Sequence, residues 1–220
     1  MEAMELMRMR HSVRQYQDKP IPDEIRKQLK ELTDQCNKEG ELHIQIIYDE
    51  PDCFNSRMAH YGRFENCRNY IAMIGRKSQG LEERCGYYGE KIVLKAQELG
   101  LNTCWVALTH GKSKAVIAPD EKEVIIIALG YGKTQGVARK SKDASAVSNA
   151  APDSPEWFKK GVEAALLAPT AINQQKFRFT LEGTKVTAKT AGIGTNLKTD
   201  LGIVKYHFEA GSGKGKEIWT

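Results

Sequence analysis

The sequence predicts an α+β fold, a mixed and mainly antiparallel sheet flanked by helices. Three observations carry this expectation: short apolar or alternating runs of strand length, amphipathic stripes bounded by proline and glycine, and one small, polar stretch that divides the chain. Leu42, Ile44, Ile46 and Tyr48 alternate, so 42–48 reads as a half-buried strand, and Tyr70–Ile74 is a second short strand. Val124–Leu129 is continuously apolar up to Gly130, the pattern of a strand buried on both faces. Phe177, Phe179 and Leu181 alternate, as do Val186 and Ala188, which predicts strands at 176–181 and 185–190 with Glu182-Gly183 as the turn.

The helices follow from period and punctuation. A short one covers 2–9, before an extended stretch from Arg10 to Pro20. After Pro22, Ile25, Leu29, Leu32 and Cys36 recur at helical spacing. Ile92, Val93, Ala96 and Leu99 form another stripe, closed by Gly100. Ser154 is placed to cap a helix with Pro155 in its first turn, and Phe158, Val162, Ala165 and Leu166 give that helix its apolar face. A last helix covers 201–210, ahead of a glycine-rich tail expected to fray.

Domain organisation is read from composition. Ser141–Pro155 is small and polar with two prolines, and as a flexible coil its roughly 15 residues would span about 20 Å. This gives a first half at 1–140, a linker at 141–155 and a shorter second half at 156–220. Each half opens on a proline-started helix, and Glu24, Lys27 and Glu31 recur at one constant offset as Glu156, Lys159 and Glu163. With the shared order of elements, this suggests an internal duplication.

Composition excludes several classes. The 220 residues are 40% hydrophobic and 28% charged, ordinary globular usage, and the net charge of +5 is spread among acids. A nucleic-acid binder would concentrate its basic residues on one face, so none is expected. No apolar run is long enough to span a membrane, and the acidic opening residues do not resemble a secretory signal. Five dispersed cysteines without a C-x-x-C pair read as reduced thiols, which predicts a cytoplasmic protein without a metal site. Gly132-Lys133-Thr134 and Gly215-Lys216 end like phosphate loops, but Ile127 and Ala210 stand where the earlier glycine belongs.

Three stretches carry candidate chemistry. In Arg10-His11-Ser12-Val13-Arg14-Gln15-Tyr16, extended backbone sends Arg10, Ser12 and Arg14 to one side. Two guanidiniums and a hydroxyl form a phosphate grip; the alternative is that Arg8 and Arg10 complement a helix end. The second stretch, Ala168-Pro169-Thr170-Ala171-Ile172-Asn173-Gln174-Gln175, is a loop of small residues that a flat ring can approach, or a plain connector. The third, Leu99 to Leu108, is a helix end, a glycine cap and an apolar strand, and core packing accounts for it.

Together these stretches resemble the FMN-dependent nitroreductase family. Arg10–Tyr16 with Pro20-Ile21-Pro22 resembles its opening signature. Leu99-Gly100-Leu101 through Cys104-Trp105-Val106, with Val124–Leu129 and Gly130-Tyr131-Gly132, resembles its distal half. Ala168–Gln175 with Phe177-Arg178-Phe179 resembles its flavin-contacting helix–loop–strand. One departure stands out: Asp34-Gln35-Cys36-Asn37 occupies the place of the Ala-Pro loop, which comes only after the linker. The chain therefore resembles two family halves fused, pseudo-dimeric within one polypeptide.

The resemblance implies a nitroreductase-like fold and FMN as cofactor. It implies that Arg10 and Ser12 hold the phosphate, with His11 among the contacts and Arg14 on the phosphate or the N1/C2-carbonyl edge. Val106, Ala107 and Leu108 are implied to present backbone groups near N5. Pro169, Thr170, Ala171 and Asn173 are implied to pack on and hydrogen-bond the ring, and Arg139 or Lys140 to give a late basic phosphate contact. The flavin would carry the hydride, so no side chain is assigned as catalytic. NADH or NADPH would supply it, and a nitroaromatic, quinone or similar small oxidised acceptor would take it. The site is expected to be complete in one chain, whether monomer or weak homo-oligomer. The alternatives are a flavin-sequestering protein without turnover, or another FMN enzyme of this fold, such as a dehalogenase.

Overall fold

The apolar run at 124–129 becomes an inner strand of a four-stranded sheet in the computed structural model, which describes residues 2–220. The strands β1 (Gln45–Ile47), β2 (Asn69–Arg76), β3 (Asn102–Val106) and β4 (Glu121–Gly130) lie in the order β1-β2-β4-β3. Every neighbouring pair is antiparallel, with Ile71 and Trp105 both opposite Ile127. Ile126, Ile127, Ala128 and Leu129 are wholly buried, as expected for a strand flanked on both sides. Parallel pairing enters through isolated bridges, Ser12 with Thr103 and Gln15 with Glu65. The α+β reading is borne out.

Chain contacts define two units: Met9–Leu81 with Lys91–Val137, and Met1–Arg8 with Glu82–Glu90 and Ala138–Thr220. After a short helix, α1 (Ala3–Met9), come the elements of the first unit: the four-stranded sheet, α2 (Asp23–Gly40) and the short α3 (Arg57–Tyr61). Its core gathers Val13, Tyr16, Phe54, Phe64, Tyr70, Cys104, Val106 and Ile126. β1 is shorter than the predicted 42–48. The Asn37 side chain takes the Ile44 N–H at 2.7 Å and donates to the Ile44 carbonyl at 3.0 Å, so that residue is lost to the ladder.

The second unit contains α5 (Ala144–Val147), α6 (Glu156–Leu166), the hairpin β5 (Phe177–Glu182) and β6 (Lys185–Thr190), and α7 (Leu197–Ser212). The hairpin is a two-stranded sheet of its own. Its core is aromatic: Phe208 lies 4.7 Å from Phe179, 5.7 Å from Phe158 and 5.4 Å from Trp219, centroid to centroid. Four sequence expectations need correction here. Glu182 pairs with Lys185, so the turn is Gly183-Thr184, with Gly183 taking the positive φ of 61°. Ser154 does not cap α6; its hydroxyl accepts from the Ala151 N–H at 2.9 Å, and Pro155 is the capping residue. The 141–155 stretch holds α5, with Val147 and Ser148 buried, and the Asn149 side chain clamps both backbone groups of Leu181. The glycine-rich tail does not fray: Ile218 is buried and Trp219 bridges to Val186.

The stripe at Ile92–Leu99 belongs to a longer helix, α4 (Leu81–Glu98). Its early turns meet α7 at backbone distance: a Cβ at Gly202 would lie 1.9 Å from the Glu83 carbonyl, and one at Gly86 2.0 Å from that of Thr199. Gly202→Ala is expected to cost about 1–3 kcal/mol by overpacking, more than helix propensity would return. Urea unfolding checks it, and a neutral or stabilised variant would show that these helices can part. Deeper in the same unit, His207 on α7 and Glu90 on α4 are fully buried and 2.9 Å apart, with the other imidazole nitrogen 3.0 Å from the Ala164 carbonyl.

Candidate functional site

Residues 12–17 run as a strand-like strap. The Val13 N–H donates to Thr103 O at 3.0 Å, Tyr16 N–H to Glu65 O at 3.0 Å, and Gln17 N–H to Tyr131 O at 2.8 Å. The strap does not keep the strict alternation the sequence predicts: Val13 and Tyr16, three residues apart, both face the core, and of the trio expected on one side Arg10 is buried while Arg14 is exposed. The bulk of Tyr16 explains Gly130, where a Cβ would lie 2.9 Å from the ring. Its hydroxyl donates to Val13 O at 2.7 Å, closing the strap on itself.

Arg10, Ser12 and Arg14 lie along one strap, and all three act on the Cys104 thiol through charge or hydrogen bonding. Burial pushes that thiol up, opposed first by the Arg14 charge, then by a Ser12 hydrogen bond, then by the Arg10 charge. Arg10 is buried at 1% exposure, Ser12 is half-buried and Arg14 is exposed. The trio is a cluster of two guanidiniums and a hydroxyl, graded from core to surface. Such a donor set fits a phosphate, because guanidinium gives forked, charge-assisted hydrogen bonds.

A turn that sequence reasoning set aside lies on the same strap. Gly136, at φ 74°, passes close enough that a Cβ would stand 2.7 Å from that of His11 and 3.1 Å from Ser12 O. The turn is pinned by Asn102, which accepts from the Gly132 N–H at 2.9 Å and donates to Gln135 at 2.9 Å. The signal was present in the two glycines four residues apart, Gly132 and Gly136. Their role is close backbone approach rather than a phosphate loop.

Val106 ends β3 two residues beyond Cys104 and is buried, whereas Ala107 and Leu108 are exposed, Leu108 at 78%. The loop that follows is tied down. The Gly111 N–H donates to Cys53 O at 2.6 Å, and the Lys114 N–H to the Tyr70 hydroxyl at 2.8 Å.

The remaining predicted residues gather in the other unit. After α6, Pro169 is buried, Thr170 and Ala171 are half-buried, and Ile172 and Asn173 are exposed. The Arg139 guanidinium donates to Leu167 O. The Lys140 carbonyl accepts from Asn173 at 2.8 Å and from Gln175 at 3.2 Å, so Lys140 contributes here through its backbone. Asp200, on the first turn of α7, went unnoticed in the sequence. Its buried carboxylate accepts from the Ala171 N–H at 3.0 Å and the Gln174 amide at 2.7 Å. Burial pushes Asp200 up to about 6, against the lowering effect of those two bonds. The native state therefore holds this proton more tightly than the unfolded chain. The stability it gives is full below about pH 4 and lost as pH rises through about 6, an effect on the order of 3 kcal/mol.

The antiparallel sheet flanked by helices defines an α+β protein. The chain belongs to the family described as "Putative TM nitroreductase", whose profile matches residues 2–212. Solved structures share the fold. A Thermotoga maritima protein designated a nitroreductase is 24% identical, with a TM-score of 0.69 over 96% of this chain and 83% of its own. A Desulfovibrio desulfuricans protein, designated a nitroreductase and solved in complex with FMN, is 17% identical, with a TM-score of 0.53 over 70% of this chain and 98% of its own. A Clostridium acetobutylicum protein designated an NADH oxidase is 16% identical, with a TM-score of 0.51 over 64% of this chain and 96% of its own. No curated protein matches the sequence. No helix among the described residues is long and apolar enough to cross a membrane.

Proposed function

We propose that this protein is an FMN-dependent oxidoreductase that takes a hydride from NADH or NADPH and passes it to a nitroaromatic, quinone or similar conjugated acceptor. The observation that carries the proposal is the strap that sets Arg10, Ser12 and Arg14 beside β3, with Ser12 bridged to Thr103, in a chain whose family is that of the nitroreductases. Two relatives in fold support it through their own designations, one in complex with FMN and one an NADH oxidase.

The bound flavin would supply hydride transfer at N5. The chain's part is to bind and orient. Ser12, Arg10 and Arg14 would hold the phosphate, the charged pair favouring an anionic group and the hydroxyl fixing its orientation. His11, under the Gly136 turn, would be held beside them. The backbone of Val106, Ala107 and Leu108 would meet the ring, and the small Pro169, Thr170 and Ala171 would let the backbone approach its plane. Asn173 would exchange part of its present hydrogen bonding for the ring, and Arg139 and Lys140 would add positive charge. A site complete in one polypeptide would take about one FMN per chain.

The test is anaerobic reduction. Purified protein loaded with FMN should lose its visible flavin absorbance on addition of NADPH or NADH and regain it on addition of a quinone. A protein that binds FMN but keeps its absorbance with both nucleotides would be a flavin carrier instead. Failure to bind FMN at all would overturn the proposal.

A further inference from the structure

The loop at 170–175 has an unusual backbone. Ile172, Asn173 and Gln175 all take positive φ, at 47°, 55° and 44°. Side-chain-bearing residues avoid this region, and a β-branched residue such as Ile172 avoids it most. Three such residues in four positions persist only where surrounding groups over-determine them.

The restraints come from two sides. On one, Lys142 donates to both Gln174 O and Gln175 O at 2.9 Å, and its N–H donates to the Gln175 side chain at 2.7 Å. On the other stands Asp200, whose two oxygens take the Ala171 N–H and the Gln174 amide. Gln174 is itself fixed by Thr195 O at 2.7 Å, and a Cβ on Gly194 would lie 2.2 Å from its amide oxygen. A buried carboxylate that no cation neutralises weakens the fold at neutral pH, so its place here points to a role beyond stability.

We propose that Asp200 is the positioning residue of the flavin loop: its carboxylate sets the 170–175 conformation in which Ala171 and Asn173 meet FMN. This rests on the assignment of that loop to the flavin. As a carboxylate, Asp200 accepts both bonds. Once protonated it carries an O–H that faces a donor, and one of the two bonds is lost. Lys142 is bonded to the same loop, committed to Gln174 O and Gln175 O. Lys176 is turned to Ile193 O, and neither forms an ion pair with Asp200 among the described residues.

The experiment measures FMN affinity from about pH 5 to about pH 8 for wild type and Asp200→Asn. Wild type is expected to bind about tenfold more tightly above pH 6 than below it, the worth of one charge-assisted hydrogen bond. Asp200→Asn, with one acceptor oxygen, should bind at all pH values as wild type does at low pH. The FMN phosphate titrates in the same window, but equally in both proteins, so their difference reports Asp200. In the flavin-free proteins at one fixed pH, amides of 170–175 should exchange faster in Asp200→Asn while α6 and β5 stay protected. Should that variant fail to fold, Gln174→Met provides the second probe, with weaker binding and a midpoint above 6 because the Gln174 bond lowers it. Parallel pH profiles with unchanged loop exchange would overturn the role of Asp200. A wild type that takes no FMN would instead overturn the cofactor assignment, and the exchange measurement would still decide whether Asp200 sets the loop.

Discussion

Replacing His207 with leucine is expected to lower the unfolding free energy by about 3–5 kcal/mol, the cost of breaking a buried pair from one side. Both imidazole nitrogens face acceptors, the Ala164 carbonyl at 3.0 Å and the Glu90 carboxyl at 2.9 Å. One proton must therefore lie between His207 and Glu90, whether the pair is imidazolium and carboxylate or imidazole and carboxylic acid. Both side chains are wholly shielded from water. Removing the imidazole takes away a hydrogen-bond partner from a fully buried carboxyl group, and burying a polar group with fewer partners is costly. Replacing Glu90 with leucine as well should recover much of the loss, because two apolar groups of similar size can fill the space. Urea unfolding of both single variants and the double variant gives the coupling directly. A single-variant loss under about 1 kcal/mol would mean that water or a side-chain rotation rescues the carboxyl group.

The second large effect concerns the cofactor. Arg14→Ala is expected to weaken FMN binding by about 1.5–3 kcal/mol, roughly tenfold to a hundredfold, while leaving the fold intact. The residue is exposed, so its guanidinium is available to a ligand and little packing is lost with it. Arg10 is a poorer probe because it is buried, so its removal disturbs packing along with binding. Flavin fluorescence titration measures the change, and thermal unfolding controls for the fold. A further arm tests the single-chain site: mixing Arg14→Ala chains with Asn173→Ala chains should restore no flavin binding. Restoration would mean that two chains share the contacts. Undiminished affinity in Arg14→Ala would remove that residue from the phosphate grip.

Much of this architecture was legible because single residues carry strong local rules. Val124–Leu129 has no polar residue to place on a solvent face, so an inner strand was the natural reading. Gly100, at φ 79°, ends its helix as read. What escaped depended on distant partners. The first turns of α4 hide their stripe among Glu82, Glu83, Arg84 and Gly86: Leu81, Cys85 and Tyr88 are buried at helical spacing, and Gly86 and Gly202 let two backbones approach. The tail composition suggested fraying, yet Trp219 finds Phe208, Phe179 and a hydrogen bond to Glu209. At the candidate site, the Arg10–Arg14 run stood out by residue type, while the burial of Arg10 against the exposure of Arg14 was not legible from alternation. Asp200 did not stand out, since an acid in a first helical turn is ordinary; its importance lies in the loop it meets. The turn at 132–136 was judged only against a nucleotide motif, so its contact with His11 stayed hidden.

The three tryptophans are unevenly shared. Trp157 and Trp219 both belong to the aromatic cluster around Phe208, whereas Trp105 sits on β3 opposite Ile127. Intrinsic emission is therefore two signals from two structural units rather than one average. With Trp105 replaced by phenylalanine, the spectrum reports the helix–hairpin unit alone. With Trp157 and Trp219 replaced, it reports the sheet. The molecule carries its own optical means of asking whether its two units melt together or apart.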